Sequence, residues 1–367
     1  MDYKNSITVL IKKVPETIVD LSVPREKSNA PTQAFSEFLT NREQGDWAES
    51  LIFQAIKAIS KNYVVVHYGK SDTRVAGESG FVEFYEDYQN ELDLIGKRPD
   101  LLVFHKNDYD ESWGEDIAFK SLEELANIVP KAIAGLEVRS SSFLIDKYDQ
   151  YMKERFHRNL NEALKIKEEL LENFNDVFSH ENKSHWVEIL NGINAETITS
   201  IDFNVPGWRA NERVLNANNL LKKLKLCIKE VQKRDFLSIT PKSEDIKVVY
   251  KWIQTYGVPH YYFQVFFDKV YGISFDSILR LASQPDLEGV DYFVESGDAK
   301  NQNKTTIKIN SKVGKEVAHK VDMPEHYSDK KELPRGRLLF HVSFKGGKAY
   351  IDVNSLCELL GIASRDF

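Results

Sequence analysis

The chain has 367 residues, 42% hydrophobic and 29% charged, an ordinary composition for a globular protein and enough length for one large domain or two ordinary ones. No run approaches the roughly 20 apolar residues of a membrane helix, residues 1–5 lack the basic-then-apolar pattern of a signal peptide, and two cysteines, Cys227 and Cys357, make neither a disulfide framework nor a zinc site, which fits a reducing cytoplasm. A formal net charge of −7 argues against a general nucleic-acid coat but not against DNA binding, whose electrostatic footprint is local.

Residues 1–40 read as an N-terminal arm or irregular lead-in, with a strand expected at 7–11 followed by Pro15, Pro24 and Pro31. From Asp46 the apolar residues recur at helical spacing, through Ala48, Leu51, Ile52, Ala55, Ile56 and Ile59. Strands are expected at 63–68, 101–105 and 135–140, with a helix at 122–128 between the last two. The polar segment 69–95 reads as a connection or an added hairpin. Residues 143–236 turn helical and charge-rich and read as an insertion, with its clearest helices at 156–177 and 212–233.

The core then resumes with an amphipathic helix through Ile246, Val249, Tyr250, Ile253 and Tyr256, stopped by Gly257-Val258-Pro259. An aromatic strand at 261–267, a strand at 271–275 and a helix at 277–282 follow. Residues 286–367 are β-rich, with a strand at 305–309, a hairpin turning at Gly346-Gly347 and a closing helix at 354–360. The expectation is a mixed α/β core over 41–142 and 237–285, a helical insertion over 143–236 and a β-rich region over 286–367.

The stretch that carries chemistry is Gly135-Leu136-Glu137-Val138-Arg139. In a strand Leu136 and Val138 point one way, and Glu137 and Arg139 the other. Buried charges require partners, and Asp100, opening the run at 101–104, is positioned to join Glu137 at the edge of a sheet and share one divalent cation. Magnesium is held by one or two carboxylates together with water and phosphate oxygens, and it activates water and steadies the leaving group in phosphodiester hydrolysis. Arg139 could stabilise the transition-state charge. The competing reading is purely structural, a set of ion pairs at strand ends.

Glu49 lies off the apolar stripe and could lean over the site, although Asp46 and Glu49 also have the spacing of a helix-capping box. Gln264 is a lone amide in an apolar strand and requires a hydrogen-bond partner. Lys131 and Lys242 are spare cations nearby. Trp208, Arg209, Asn211 and Arg213 combine an aromatic ring with side chains that can read base edges. Lys222, Lys223 and Lys225 belong to a basic helical segment, and ten Lys/Arg against five Asp/Glu lie between Lys300 and Arg337. These too are everyday loop and surface residues. Nine histidines show no paired metal spacing, and there is no glycine-rich phosphate loop or nucleophile elbow, so serine hydrolases, kinases and dehydrogenases lose support.

In order, Glu49, Pro99-Asp100, Glu137-Val138-Arg139 and Gln264 resemble the motif of the PD-(D/E)xK nucleases. Residues 242–275 and 135–148 resemble the AccI family of type II restriction endonucleases. That resemblance implies a mixed sheet flanked by helices, with Asp100 and Glu137 binding Mg2+ and Glu49 assisting. It further implies a bacterial cytoplasmic homodimer that cuts short, roughly palindromic double-stranded DNA sites to leave 5′-phosphates, and a companion DNA methyltransferase. Base reading is expected first at 208–213 and second in the basic 300–337 stretch. Arg139 stands where the family has lysine, and guanidinium is a poor proton acceptor. Either the metal acts alone, or a lysine such as Lys131 or Lys242 reaches in. Two alternatives stay open: a nuclease of repair or recombination that reads DNA structure, and a non-catalytic DNA-binding relative.

Overall fold

The computed structural model describes residues 2–298, 304–364 and 367, in two compact units. The first unit comprises Met1–Ile145 and Leu237–Phe367, the second Asp146–Phe236.

The first unit opens with α1 (Tyr3–Ile11), α2 (Ser36–Ile59), β1 (Tyr63–His67), α3 (Phe81–Ile95), β2 (Leu101–His105), α4 (Leu122–Ile128) and β3 (Ala132–Ser141). The second holds almost all of α5 (Ile145–Asn173), then α6 (Asn175–Phe178), α7 (His185–Gly192) and α8 (Glu212–Gln232). The chain re-enters the first unit with β4 (Ser238–Ile239), α9 (Ser243–Tyr256), β5 (His260–Phe266), β6 (Val270–Ser274) and α10 (Phe275–Ala282). It closes with β7 (Tyr292–Asp298), β8 (Lys304–Asn310), β9 (Lys315–Val321), β10 (Glu325–Leu333), β11 (Arg337–Lys345), β12 (Ala349–Ile351) and α11 (Val353–Leu360).

The main sheet is mixed, in the order β1-β2-β3-β5-β6-β9-β12, with β3 and β5 parallel and the other neighbours antiparallel. The mixed α/β class is therefore the one expected. Strand periodicity divides the core in two. Leu102, Phe104 and Tyr262 pack with α1, α4, α9 and α10 on one face. Leu101, Val103, Leu136, Val138 and Phe263 pack with α2 and α11 on the other. Glu137 and Arg139 hence belong to the α9 face, and so do their register partners Tyr262 and Gln264.

Four expectations are corrected. Residues 7–11 form no strand: Ile7, Leu10 and Ile11 recur at helical spacing and are buried with Val14, Ile18 and Val19 in the main core. Helix α2 begins at Ser36, so Asp46 and Glu49 sit in mid-helix and make no capping box. The 69–95 segment contains α3, whose buried stripe is Gln89, Leu92 and Ile95. Gly346-Gly347 joins no hairpin, because β11 pairs with β10 while β12 crosses to β9 and the main sheet, which therefore draws two strands from beyond residue 285.

The second unit has its own core, including Leu160, Ile166 and Leu170 of α5 and Leu221, Leu224 and Ile228 of α8. Trp186 packs edge-on against Phe203 at 5.4 Å and against Trp208 at 5.8 Å between ring centroids.

Candidate active site

Strand β3 outruns β2. Their last rung is Leu101 opposite Leu136, and beyond it β3 continues to Ser141 beside β5 alone. The N–H of Val138 is left without a carbonyl on that side, and the side chain of Asp100 takes it, with N to Oδ2 at 2.6 Å. The Asp100 main chain is held as firmly, its carbonyl accepting from the N–H groups of Tyr68 (2.8 Å) and Gly69 (2.9 Å). Glycine is needed at 69, since a Cβ there would lie 2.9 Å from Asp100 Cα. Asp100 and Glu137 thus lie where β2 begins against β3, inside the sheet and not at its edge.

Around Glu137, 2% of whose side chain is exposed, two cations converge on one oxygen: Lys97 Nζ at 2.7 Å and Arg139 Nη2 at 2.6 Å from Oε1. Both cations also face Asp245 Oδ2, at 3.7 and 3.4 Å. Asp245 lies in the first turn of α9. Lys97 reaches it because α3 stops at Gly96, whose φ of +84° only glycine adopts easily, and because Lys97 N donates to Val248 O of α9 at 3.0 Å. Its neighbour Arg98 turns away, donating to Ala118 O and to Glu91, each at 2.8 Å.

Burial opposes the charge on Glu137, but Arg139 and then Lys97 hold its carboxyl down at about 2. Asp100 goes the other way: burial, then the charges of Glu137 and Glu49, raise it well above the ordinary carboxylate value. Against burial and the repulsion of Arg139, the carboxylates of Asp245 and Glu137 keep Lys97 protonated beyond its normal range. Glu137 pushes Arg139 the same way.

Beneath lies His260 of β5, fully buried, whose imidazole burial drives down to about 3. Neither of its ring nitrogens, nor Tyr262 Oη, nor Glu137 Oε2 has a hydrogen-bond partner among the described residues. Glu137 is ionised yet has one oxygen, Oε2, without a partner, and Asp100 is a carboxyl whose ionised form burial and the neighbouring carboxylates disfavour; a cation set against both would satisfy the first and favour ionisation of the second. Among the described residues no three His, Cys, Asp or Glu side chains stand close enough to hold an ion by themselves. Magnesium does not require three.

Glu49 is near enough to raise Asp100, yet its own hydrogen bond is with His67, Oε1 to Nδ1 at 2.7 Å. Gln264 is buried beside Arg139 in the β3–β5 register. Lys131 does not reach in: its ammonium lies over the Trp113 ring, 5.1 Å from the centroid. Lys242 is close enough to feel Asp245, Arg139 and Lys97, and burial lowers its pKa. Lys97 and Asp245 escaped the sequence reading. The cue for Lys97 was a lysine three residues before the strand-opening aspartate. Asp245 had no such cue.

In the second unit, Trp208 packs on Trp186 with Lys183 over its ring, and Asn211 Oδ1 caps α8 through Val214 N at 2.9 Å. Arg213 forms a two-pronged pair with Asp176, both contacts at 2.7 Å. Lys225 pairs with Asp202. These four side chains have structural occupations, whereas Arg209, Lys222 and Lys223 are exposed. Lys300, which opens the basic 300–337 stretch, lies outside the described residues.

A model of the AccI restriction endonuclease family matches residues 1–367. Neither a curated protein nor a solved structure matches the chain.

Proposed function

Because the chain belongs to the AccI restriction endonuclease family, matched from end to end, we propose that it is a Mg2+-dependent type II enzyme of the PD-(D/E)xK kind, cutting double-stranded DNA at a specific sequence. The observation that carries the reading is the pairing of an orphaned, buried Glu137 Oε2 with an Asp100 of raised pKa, beside two cations that stay charged. Asp100 and Glu137 would hold the ion, with Glu49 in support. Bound there, it would polarise the scissile phosphate and acidify the attacking water.

Lys97 and Arg139 supply charge, and not a base. Both are held protonated, so they suit the negative charge that builds on the phosphate oxygens in the transition state. Gln264 stands beside Arg139 in the β3–β5 register, on the same face of the sheet. Homodimer formation on a near-palindromic site, 5′-phosphate ends and a companion methyltransferase complete the reading, on the strength of the family alone.

The test is unmethylated plasmid incubated with the purified protein, with Mg2+ or with EDTA. Discrete fragments with Mg2+ only are expected. A smear would favour a nuclease that reads DNA structure, and no cutting at all would sink the assignment.

Arg139→Lys is the sharper probe. A guanidinium spans Glu137 and Asp245 with one nitrogen at 2.6 and 3.4 Å, whereas an ammonium is a point charge on a flexible stem. Cleavage in the variant is expected to fall about 10- to 100-fold, the loss typical of a disturbed supporting shell. Equal or faster cutting would show that charge alone is used.

A further inference from the structure

Strands β10 and β11 form a two-stranded ribbon of nine rungs, from Glu325 opposite Lys345 to Leu333 opposite Arg337, and join no other strand among the described residues. One face is fastened down. Leu333 and Leu339 pack with Leu39 and Val75, Val342 N donates to Thr40 Oγ1 at 3.1 Å, and Trp47 Nε1 donates to Gly346 O at 2.8 Å. Three of these anchors, Leu39, Thr40 and Trp47, lie on α2, the helix that also carries Glu49. The other face is held at its base, where Phe344 packs against Trp47 and Phe267, and is open toward the tip. Lys330 stands opposite Phe340 and Glu332 opposite Leu338, with Phe340 60% and Leu338 42% exposed.

At the tip the turn Pro334-Arg335-Gly336 has two consecutive left-handed residues, Arg335 at φ +74° and Gly336 at φ +76°. Glycine is at home there. Arg335 is the only non-glycine residue with positive φ among the described residues, in a position where Asn or Gly costs less. A strained residue retained at an exposed tip points to a function for its side chain. The tip is also basic within an acidic chain: from residue 330 to 337 there are four cations against Glu332, and although Lys331 is paired with Glu78 at 3.0 Å, Lys330, Arg335 and Arg337 are exposed.

We propose that the β10–β11 ribbon is the base-reading element of this nuclease, entering the major groove of DNA tip first with Arg335 directed at base edges. The proposal deepens the reading of the chain as a sequence-specific nuclease and rests on it. A major groove admits a two-stranded ribbon, arginine pairs with guanine through two hydrogen bonds, and apolar side chains such as Leu338 and Phe340 suit the thymine methyl group. Positive charge at the tip complements the phosphates flanking the groove. Anchorage on α2 sets the reading element and Glu49 on one rigid rod: Thr40 and Glu49 are about 13 Å apart along the helix axis.

The experiment uses the full chain carrying Asp100→Asn, to prevent cutting, and a pool of 40-base-pair duplexes with randomised centres. Bound duplexes are selected in Mg2+ and sequenced, with and without Arg335→Asn. Asparagine suits the left-handed turn, so the melting temperature should stay at or above that of the parent. The parent should enrich a defined motif. Arg335→Asn should lose preference at one or more positions of it, with affinity for a duplex of that motif down by about tenfold or more and affinity for a shuffled duplex nearly unchanged.

An identical motif and affinity in the folded variant would overturn the proposal. So would Phe340→Ser dissociating the protein in sedimentation while its motif is unchanged, because the ribbon would then be a contact between copies. Failure of the parent to enrich any motif would instead strike at the sequence-specific nuclease reading itself.

Discussion

Asp100→Asn will abolish cleavage and, in metal-free buffer at pH 8, melt at a higher temperature than the parent, by on the order of 2 °C or more. The reason is the raised pKa of Asp100, caused by burial and by the charges of Glu137 and Glu49. A carboxyl whose folded pKa lies above its unfolded value of 3.8 adds stability below that value and loses it as pH climbs through the folded pKa. Above that point an ionised, poorly compensated carboxylate is a burden on the fold. Asparagine keeps an oxygen for Val138 N–H, now 2.6 Å from Oδ2, and removes the charge.

The same variant loses an anionic ligand, and cleavage should drop by more than the roughly hundredfold that an outer-shell partner is worth. Thermal melts in EDTA and in Mg2+, at pH 5 and pH 8, check the argument. Mg2+ should raise the parent's melting temperature more at pH 8 than at pH 5, and should hardly affect the variant. A parent indifferent to Mg2+ at both pH values would remove the metal from this site.

Lys97→Met should cost about 3 kcal/mol of stability, the low end for removing one partner of a buried ion pair, together with most of the activity. The lysine side chain is 14% exposed and Glu137 only 2%, so the carboxylate left behind cannot turn to water. Arg139 at 2.6 Å still compensates it, which is why the loss stays at the low end. Acid stability supplies a second readout. Glu137 is held at about 2 against burial, first by Arg139 and then by Lys97, so its stabilising contribution is present above the ordinary 4.5 and is lost only as pH falls toward 2. Without Lys97 that window narrows, and the variant should unfold at a higher pH in an acid titration followed by circular dichroism. Activity within threefold of the parent would exclude Lys97 from the site.

The strand carrying Glu137 and Arg139 was legible because a period of two separates Leu136 and Val138 from the charges whatever their partners are. Asp100 was legible as an acid at a strand start. Lys97 and Asp245 were not, because their role exists only once α3, α9 and β3 converge: Arg139 and Asp245 are 106 residues apart in the chain. The N-terminal helix was hidden by its Ile7-Thr8-Val9 run, whose branched side chains favour strands. Burial of Ile7, Leu10 and Ile11 outweighed that preference. In α3 the acids Glu83, Glu86, Asp87, Glu91 and Asp93 masked a stripe only three residues wide. Gly346 and Gly347 both adopt positive φ, as a hairpin would ask, but local turn chemistry cannot say which strand will be the partner.

The two points where the first unit gives up its chain and takes it back, Ile145 and Leu237, meet in one small cluster with Phe266 and Tyr271. Closing a loop between fixed ends depends on its length only logarithmically, about 0.6 kcal/mol for each doubling. The nuclease scaffold is therefore nearly indifferent to how much chain is spliced in between those ends. Through evolution such a splice point can gain, lose or exchange a whole module while the strands carrying Asp100 and Glu137 keep their register.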